Sequence, residues 1–403
     1  MKLLIATIGS RGDNEPFKAL AFEAGSAGHE VYFAHTTDLP TDSHAPYHEL
    51  PLRGSFESFM ADQGISIVKA LRSYRTVMKP LLEAAYDDVN EHIQRLEPDV
   101  VVYHPKLVTA PVVAHQVGAI AVIAEMFPTL TPTREFAAAG LPAGLPGWLN
   151  IQSFKLVQAG LRAMGAPAEK LAKKLGVVNI NPDLTLCPVS PTLVPKPKDW
   201  PEWAFVTGHW STPVEAELDQ KIEEFLSSGP VVYAGFGSMK DSRASQRAEA
   251  IVTGAKQAGF KVLMVTGWGG LAPSLAHVED PDVLVRSSVP HSLVFPRVTV
   301  IMHHGGAGTT HQALASGVVS VVMPFLADQP WWANRLHRFG LGPKPLSRKT
   351  TNPRVIAKTL LGALDYSGAV ELAAQNMAID NGLGDALTVL EEAERGQLPL
   401  RPS

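Results

Sequence analysis

The chain alternates short, almost continuously apolar runs with segments in which apolar residues recur at helical spacing. In the first half the apolar runs predict strands at residues 2–8, 29–35, 99–103 and 119–125. The periodic segments predict helices at residues 16–27, 80–96 and 110–117. Strands that are apolar throughout are typical of parallel sheets covered by helices on both faces. The first half therefore predicts a doubly wound α/β domain.

The same rhythm restarts in the second half. It predicts strands at residues 230–236, 261–266, 283–287, 298–302 and 318–325. It predicts helices at residues 244–258, 310–316 and 385–395. Both halves open with a strand that runs into a small Gly/Ser turn, ATIGSRG in the first and YAGFGSM in the second. The predicted fold class is thus α/β, with two Rossmann-like domains whose parallel sheets face each other across a cleft.

Two stretches interrupt this rhythm. The proline-rich stretch 188–213 predicts the junction of the domains, and we place an N-terminal domain at 1–200 and a linker at 201–215. A C-terminal domain at 216–384 follows, and an amphipathic helix and tail at 385–403 can cross back to the first domain. Residues 126–150 are rich in Pro, Gly and Ala, which predicts a flexible loop over a substrate.

Composition excludes several classes of protein. The chain has 403 residues, 45% of them hydrophobic and 18% charged, which is ordinary globular material. A net charge of −4 without Lys/Arg clusters gives no reason to expect nucleic acid binding. The single cysteine, Cys187, excludes an internal disulfide and a cysteine metal site. No apolar stretch approaches the roughly 18 residues of a membrane span, so we expect a soluble, cytoplasmic protein. Transient contact with a membrane surface stays open if the substrate is lipidic.

The segment HHGGAGTTH at residues 303–311 carries the strongest chemical signal. It lies between a predicted strand and a predicted helix. Unshielded N–H groups at a helix N-terminus, together with glycines that admit close approach, favour a phosphate. His304 and Thr309 can add donors to such a site. A tight turn without a ligand is the alternative, but three glycines, two threonines and the two leading histidines are hard to explain by packing alone.

A second signal follows in MPFLADQ at residues 323–329. Asp328 and Gln329 come directly after an apolar run, and a carboxylate beside an amide can bind sugar hydroxyls. A diphosphate site followed by a reader of hydroxyls indicates a nucleotide sugar. The chain has no GxxxxGK[ST] motif and no GxGxxG after its first strand, which disfavours Walker-type nucleotide hydrolysis and dinucleotide binding.

In the first half, Asp13 follows the first predicted strand and would face the cleft. A partly desolvated carboxylate there can remove a proton from an acceptor hydroxyl. Capping of the helix that begins at Pro16 is an equal alternative. In the second half, Trp268 by stacking and Val289 by its backbone can bind a flat nucleobase, although packing explains Trp268 equally well.

The blocks GSRGDNEP, YAGFGSM, VPHSLVFP, HHGGAGTT and PFLADQPWWANR stand in this order along the chain. Together they resemble the GT-B type inverting glycosyltransferases, and most of all the bacterial enzymes related to sterol and antibiotic-aglycone glycosyltransferases of the UDP-glucosyltransferase superfamily. The resemblance spans nearly the whole chain and is strongest over residues 230–350. Ser292 departs from it, because relatives often have Asp there.

The resemblance implies a role for each matching residue. Asp13 would be the catalytic base. The implied donor-binding residues are Ser10, Arg11, Gly12, Gly237, Ser238, Trp268, Val289, His304, Gly305, Gly306, Gly308, Thr309, Asp328 and Gln329. The acceptor would contact Phe56, Phe59, Met60, Met126, Phe127 and Phe136 in two apolar, loop-rich stretches. No metal and no cofactor are implied, since helix N-termini and side chains would neutralise the leaving diphosphate.

The sequence thus predicts a hexosyltransferase that moves a sugar, with glucose favoured, from a UDP- or dTDP-sugar to a hydroxyl of a hydrophobic natural product. Sterols, polyketides and flavonoids are the expected acceptors. Two alternatives stay open: a nucleotide-sugar 2-epimerase and a non-catalytic helper of a glycosyltransferase. The oligomeric state is open as well.

Overall fold

The computed structural model describes residues 1–9, 11–36, 43–54, 74–141, 146–164, 166–211, 217–237, 239, 242–267 and 269–402. By its internal contacts the chain divides into two compact units. Unit 1 comprises Met1–Thr212 and Asp380–Ser403, and unit 2 comprises Pro213–Ile379.

Unit 1 is built on a seven-stranded sheet in the order β3-β2-β1-β4-β5-β6-β7. Every pairing is parallel. The strands are β1 (Lys2–Ala6), β2 (Glu30–Thr36), β3 (His48–Leu52), β4 (Val100–Tyr103), β5 (Ile120–Ala124), β6 (Leu184–Cys187) and β7 (Ala204–Val206). The central strands β1, β4 and β5 are almost entirely buried because helices cover both faces, as their continuous apolar sequences predict.

Alternate residues of the central strands enter two separate cores. Leu3 and Ile5 pack with α1 and α14 on one face, whereas Leu4 and Ala6 pack with α2 and α3 on the other. A π-helix at Tyr74–Met78 precedes α2. The α-helices are α1 (Arg11–Ser26), α2 (Lys79–Leu96), α3 (Ala110–Val117), α4 (Gly147–Met164), α5 (Ala166–Leu175) and α14 (Gly382–Glu394).

Unit 2 contains a five-stranded parallel sheet in the order β10-β9-β8-β11-β12. Its strands are β8 (Val231–Gly235), β9 (Lys261–Val265), β10 (Val283–Arg286), β11 (Val300–His303) and β12 (Ser320–Val322). Its α-helices are α6 (Gln220–Ser227), α7 (Ala244–Gln257), α8 (Leu275–Glu279), α9 (His291–Val294), α10 (Ala307–Ala315), α11 (Gln329–Arg338), α12 (Pro353–Ala363) and α13 (Ser367–Met377). The predicted fold class, two parallel-sheet α/β domains, is confirmed at the level of each unit.

The structure corrects two details of the sequence analysis and agrees with a third, the crossing of the C-terminal helix to the first domain. Residues 204–206, inside the predicted linker, form the edge strand β7, because prolines such as Pro201 are tolerated just before an edge strand. The first helix begins at Arg11 and contains Pro16 rather than beginning at it. The segment from Asp380 onward, including α14, belongs to unit 1 by its contacts.

The stretch 126–150 is also more ordered than predicted. Buried Glu125 accepts hydrogen bonds from the backbone N–H groups of Thr129 and Leu130, both at 3.0 Å, and from Thr131 Oγ1 at 2.6 Å. Asp199 accepts hydrogen bonds from Thr133 Oγ1 at 2.6 Å and from the Arg134 N–H at 2.8 Å. Two carboxylates thus hold the first part of this loop, while 142–145 lie outside the described residues.

Candidate functional site

Asp13 lies in the first turn of α1, at the carboxyl edge of the unit 1 sheet. One carboxylate oxygen is 3.2 Å from His104 Nε2 and the other is 3.2 Å from Lys106 Nζ. Both partners follow β4, the strand that pairs with β1. The Asp13 side chain keeps 24% of its exposure, so solvent or a ligand can still reach it. Because it lies within the helix, it does not serve as a cap for a helix starting at Pro16.

The hydrogen bonds of His104 define its tautomer. The backbone N–H of Lys106 donates to His104 Nδ1 at 3.1 Å, so Nδ1 is the acceptor. Burial, with a smaller effect of the Lys106 cation, lowers the pKa of His104, and the ring is therefore neutral near pH 7. In that neutral ring the proton is on Nε2, which donates to Asp13 Oδ1. His104 thus holds the carboxylate in place without neutralising it.

The turn between β1 and α1 is shaped to receive this carboxylate. Gly9 has a φ of +143°, and a Cβ on it would collide with the Asp13 side chain. Buried Asn14 donates from Nδ2 to the Gly9 carbonyl at 3.2 Å and accepts from Thr7 Oγ1 at 3.2 Å. The position of Asp13 is therefore set by the strand end, by the glycine and by an interior amide.

Three other predicted donor residues belong to this turn. Ser10 lies outside the described residues, and so does the side chain of Arg11. Gly12 is exposed in the first turn of α1. The predicted roles of these three residues near a diphosphate stay predictions.

In unit 2 the glycine-rich segment forms the turn between β11 and α10. Gly306 is the N-cap of α10, and no side chain caps this helix terminus. The first backbone N–H groups of a helix lack partners within it and carry the positive end of the helix dipole. A Cβ on Gly308 would meet no protein atom within 4 Å, which shows that the space above the first turn is open. The geometry therefore suits an anion.

His304 and His303 line the same turn. A Cβ on Gly306 would contact His304 Nε2 at 2.7 Å, so the glycine admits the ring. Burial lowers the pKa of His304 to about 4, and the ring is neutral at physiological pH. His303 Nδ1 accepts from the Gly305 N–H at 3.1 Å, and burial lowers its pKa well below the usual value. Within the described residues, His303 Nε2 and His304 Nδ1 are buried without hydrogen-bond partners.

Thr309 lies half-buried in the first turn of α10. The sequence also predicts Thr310, with Thr309, as a helix cap or a phosphate donor, but the structure places Thr310 fully buried inside the helix. The helix begins three residues earlier than predicted because Gly306, not a threonine, is its N-cap.

Asp328 and Gln329 mark the start of α11, but their side chains are largely committed within the protein. Asp328 Oδ2 accepts from the indole N–H of Trp332 at 2.9 Å. Gln329 is 5% exposed, and its Oε1 accepts from the backbone N–H groups of Phe325 and Leu326 at 2.8 and 3.2 Å. Its Nε2 group is directed at Met239 Sδ, 3.4 Å away, a weak acceptor. In Gln329, therefore, Oε1 holds the loop by accepting two hydrogen bonds, and Nε2 is the group that can still donate to a ligand.

The intervening backbone is strained. Ala327, between the apolar strand and Asp328, has a φ of +56°, one of two positive values at non-glycine residues in the described part of the chain. A strained residue beside polar side chains is a frequent feature of ligand sites.

Of the two residues predicted to bind the nucleobase, the structure describes Val289. Val289 is half-buried and packs against the core of unit 2, next to α9. His291, in α9, stacks on Phe295 and makes a 3.0 Å hydrogen bond through Nε2 with the Tyr233 hydroxyl. Ser238 and Trp268 lie outside the described residues. Gly237 has a φ of +57°, and a Cβ there would lie 3.6 Å from the His304 ring, which places the two predicted donor residues together.

Sequence reasoning missed Arg247 in α7, a fully buried arginine. Its Nη1 donates to the Gly270 carbonyl at 3.0 Å. Its guanidinium lies 4.6 Å from the Phe325 ring centre and 5.7 Å from that of Phe236. Arg247 therefore connects three loops that follow β8, β9 and β12. One arginine in a helical pattern carries no sequence signal for such a role.

The predicted acceptor residues divide into three groups. Phe56, Phe59 and Met60 lie outside the described residues. Met126 and Phe127 are half-buried directly after β5, and Met126 packs on the core. Phe136 is 5% exposed and packs against Phe154 of α4, 6.4 Å between ring centres. Its ring thus packs within the protein, and its predicted contact with the acceptor stays a prediction.

The described residues contain neither a candidate metal site nor a candidate membrane span. No group of three or more His, Cys, Asp or Glu side chains there is arranged to hold a metal ion. No described helix has the length and apolar character needed to cross a membrane.

Comparison with known proteins gives the relationship. Residues 269–382 match the family described as erythromycin biosynthesis protein CIII-like, C-terminal domain. Sterol 3-beta-glucosyltransferase UGT80B1 of Arabidopsis thaliana is 29% identical over 86% of this chain, which spans 60% of that enzyme. O-mycaminosyltylonolide 6-deoxyallosyltransferase of Streptomyces fradiae is 28% identical over 97% of both chains.

Solved structures give the fold. Spinosyn forosaminyltransferase SpnP superposes with a TM-score of 0.74 at 19% identity, over 98% of this chain and 99% of that one. The calicheamicin glycosyltransferase CalG4 superposes with a TM-score of 0.71 at 19% identity, over 98% of both. The fold is that of GT-B glycosyltransferases. Residues 269–382 thus resemble an EryCIII-like C-terminal domain, and the chain is similar to sterol and antibiotic glycosyltransferases, which confirms the predicted resemblance.

Proposed function

We propose that this protein is a glycosyltransferase that moves a hexosyl group from a UDP- or dTDP-sugar to a hydroxyl of a hydrophobic natural product, with glucose as the favoured sugar. The observation that carries the proposal is the environment of the Asp13 side chain. A partly exposed carboxylate, held by a neutral histidine and a lysine at the carboxyl edge of a parallel sheet, suits a general base.

In the proposed reaction, Asp13 takes the proton of the acceptor hydroxyl as its oxygen bonds to the anomeric carbon. The bond from that carbon to the diphosphate oxygen breaks on the opposite side, and the configuration inverts. Asp13 then releases the proton to solvent. His104 donates to Oδ1 throughout and keeps the carboxylate oriented, while Lys106 stabilises its charged state.

The donor half of the proposal rests on unit 2. The uncapped N-terminus of α10 provides backbone N–H groups and a favourable dipole for the leaving diphosphate. His304, neutral at physiological pH, can add a ring N–H. Because these groups neutralise the phosphate charge without a cation, we propose that the reaction is independent of metal. One structural neighbour was solved with thymidine diphosphate, which supports a nucleoside diphosphate as the ligand class.

The acceptor class is proposed from two supports. The loop after β5 presents half-buried Met126 and Phe127 at the same edge of the sheet as Asp13. Two relatives are named for transfer of a sugar to a sterol and to O-mycaminosyltylonolide. We propose that the reaction takes place on cytosolic, hydrophobic aglycones of this kind.

The test is a mass-spectrometric transfer screen with UDP-glucose and a dTDP-hexose against sterols, macrolides, flavonoids and anthraquinones, with EDTA present. We expect a product heavier by one hexosyl unit. Asp13→Asn should lower the transfer rate by about 10²-fold or more, because general-base catalysis contributes that much, while calorimetric UDP binding stays near wild type.

Asp88→Asn, which alters a carboxylate paired with Arg53 in the same unit, is the matched control and should transfer normally. Retained transfer by Asp13→Asn would contradict its role as base. Scrambling at C2 of the donor without transfer would identify an epimerase. Absence of both transfer and nucleotide binding would favour the non-catalytic helper.

A further inference from the structure

Unit 1 contains a cavity of about 270 Å³ to which the proposed reaction assigns no role. It lies against the face of the sheet formed by β4, β5 and β6, and α3 and α5 contribute Val108, Pro111 and Ala168 to its wall. Its volume is just below the roughly 300–1,000 Å³ of common ligand pockets, so it suits a compact molecule.

The floor of the cavity is a row of three residues in register across the strands. Tyr103 pairs with Ile123, and Ile123 pairs with Thr185. Tyr103 and Thr185 are each 2% exposed. Within the part of the chain that the structure describes, neither hydroxyl has a protein hydrogen-bond partner, and both residues line the cavity. Neither hydroxyl oxygen is among the fully buried polar atoms without a partner, so each keeps some accessible surface and is available to a ligand or solvent in the cavity.

Arg401 closes the cavity from the C-terminal tail. Its backbone N–H donates to the Asp183 carbonyl at 2.9 Å, which fixes the tail beside β6. Its guanidinium lies 5.0 Å from the centre of the Trp203 ring, which is also a wall residue. Partial burial lowers the pKa of Arg401, and no acidic side chain of the described residues forms an ion pair with it. Arg401 therefore adds to the lining of the cavity a half-buried cation that has no ion-pair partner among the described residues.

Two carboxylates also line the cavity, but neither competes for Arg401. Glu125 is buried and its oxygens accept hydrogen bonds from Thr129, Leu130 and Thr131. Glu169 is exposed at the start of α5. The donors that stay unused are the Tyr103 and Thr185 hydroxyls and the Arg401 guanidinium, and all three favour an anionic acceptor.

We propose that this cavity binds a small monocarboxylic acid with a flat or short apolar body. The carboxylate contacts the Arg401 guanidinium and accepts from the Tyr103 and Thr185 hydroxyls. The apolar body packs against Ile123, Val108 and the Trp203 ring. Binding of such an acid needs no sugar donor.

The test is isothermal titration of the whole protein, without donor, with benzoate, trans-cinnamate and hexanoate. Trans-cinnamyl alcohol serves as the neutral counterpart of trans-cinnamate. We expect saturable binding of at least one carboxylate and binding of the alcohol at least tenfold weaker. Arg401→Met, which keeps the length and apolar stem of the side chain, should weaken carboxylate binding about tenfold or more, the loss expected for a charged hydrogen bond.

Arg395→Met is the matched control, since Arg395 is an exposed arginine near the end of α14 that pairs with Glu391. It should leave carboxylate binding unchanged. Tyr103→Phe removes a hydroxyl, and Thr185→Val replaces a hydroxyl with a methyl group, so both keep the shape of the side chain closely. Each should weaken carboxylate binding severalfold.

Three results would overturn the proposal. One is absence of binding for all three carboxylates. Another is equal affinity for trans-cinnamate and its alcohol. The third is unchanged carboxylate binding in Tyr103→Phe and Thr185→Val, which stays decisive even if Arg401→Met fails to fold. Because no donor is added, failure of the transferase proposal leaves these results unaffected.

Discussion

At the scale of single residues, the surroundings of Asp13 show how a few groups hold a carboxylate in a fixed position. Gly9 leaves the space that the Asp13 side chain occupies, and Asn14 fixes the turn by donating to the Gly9 carbonyl. His104 Nε2 donates to the Asp13 carboxylate because the Lys106 N–H holds His104 Nδ1 as an acceptor. Each of these three contacts positions the carboxylate without removing its charge.

The first prediction concerns Gly9→Ala. The added Cβ would collide with the Asp13 carboxylate and would strain a backbone at φ +143°. We expect the carboxylate to move and kcat for transfer to fall about tenfold or more, because general-base catalysis depends on position. Steady-state kinetics with the acceptor found in the screen measures this effect.

Gly28→Ala is the control for Gly9→Ala. Gly28 has a φ of +88°, but a Cβ there meets no atom within 4 Å. It should cost about 1 kcal/mol of stability and leave kcat unchanged. An equal loss of kcat in both variants would mean that backbone strain, not the position of Asp13, limits the rate.

At the scale of elements, unit 2 collects loops at the carboxyl edge of its sheet and holds them with few contacts. Helix α10 begins without a side-chain cap, which leaves its N-terminus available to a ligand. Arg247 of α7 joins the loops that contain Phe236, Gly270 and Phe325 through one hydrogen bond and two ring contacts. The shape of the proposed donor site therefore depends on a buried side chain that need not touch the donor.

Gly308→Ala tests whether a phosphate approaches the N-terminus of α10. In the free protein the new methyl group contacts nothing, and alanine favours a helix over glycine by about 0.5–1 kcal/mol. We therefore expect a small gain in stability together with a loss of UDP-glucose affinity of about tenfold. Calorimetric titration and thermal unfolding measure the two effects.

The control is Gly362→Ala, a glycine within α12 whose Cβ would also meet nothing. It should raise stability and leave the affinity for UDP-glucose unchanged. If Gly308→Ala binds UDP-glucose as wild type does, the phosphate does not lie above the first turn of α10.

Arg247→Met tests the role of the buried arginine. The variant loses the hydrogen bond to Gly270 and the contacts of a cation with two aromatic rings, which we expect to cost about 1–3 kcal/mol of stability. UDP-glucose binding should weaken as well, because the loops lose their common support. Urea unfolding and titration calorimetry check both expectations.

Arg243→Met, at the exposed N-cap of α7, removes a weaker contact with Lys349 and should change stability by less than about 0.5 kcal/mol. A similar effect of both substitutions would show that the burial of Arg247 is not what matters.

At the scale of the whole molecule, the two units differ in their response to acid. Burial lowers the pKa values of His303, His304 and His311 in unit 2, the latter two to about 4. In unit 1 the neighbouring Asp183 raises the pKa of His115. Protonation of these buried rings destabilises unit 2. In unit 1 the effects oppose each other, because burial lowers the pKa of His104 whereas protonation of His115 is favoured.

The pH dependence follows from these directions. In the unfolded chain a histidine takes up a proton below about pH 6.5, while His311 in the folded protein does so only near pH 4. The stability that His311 contributes is fully present above the unfolded value and is lost as pH falls between them, on the order of 2 kcal/mol at pH 5. We expect urea unfolding to show unit 2 weakened between pH 7.5 and pH 5.

His311→Gln should be less stable than wild type at pH 7.5, because the residue is fully buried and its ring packs on Trp332. It should lose less stability than wild type on going to pH 5. An equal loss in both proteins would contradict the assignment of acid sensitivity to this ring.

Much of the fold could be predicted from the sequence because its signals are local. The helix at 110–117 is matched to the residue, since Pro111 favours its first turn and Gly118 its end. The central strands are matched to within two residues because they are apolar on both faces. Residues 147–175 received no helix assignment although they form α4 and α5. The three-residue strand β7 was missed because it lies among prolines.

The sequence by itself determined the two parallel-sheet units and the glycine-rich turn at 303–311, and it singled out Asp13 as a candidate base. Strand periodicity and turn composition are local properties, set by neighbouring residues along the chain. Only the tertiary structure decided which groups hold Asp13, since His104 and Lys106 are distant in sequence and meet it where β1 pairs with β4. It also decided the internal engagement of Gln329, the burial of Arg247 and the cavity beside Arg401. These features arise from packing between distant segments, which no local pattern records.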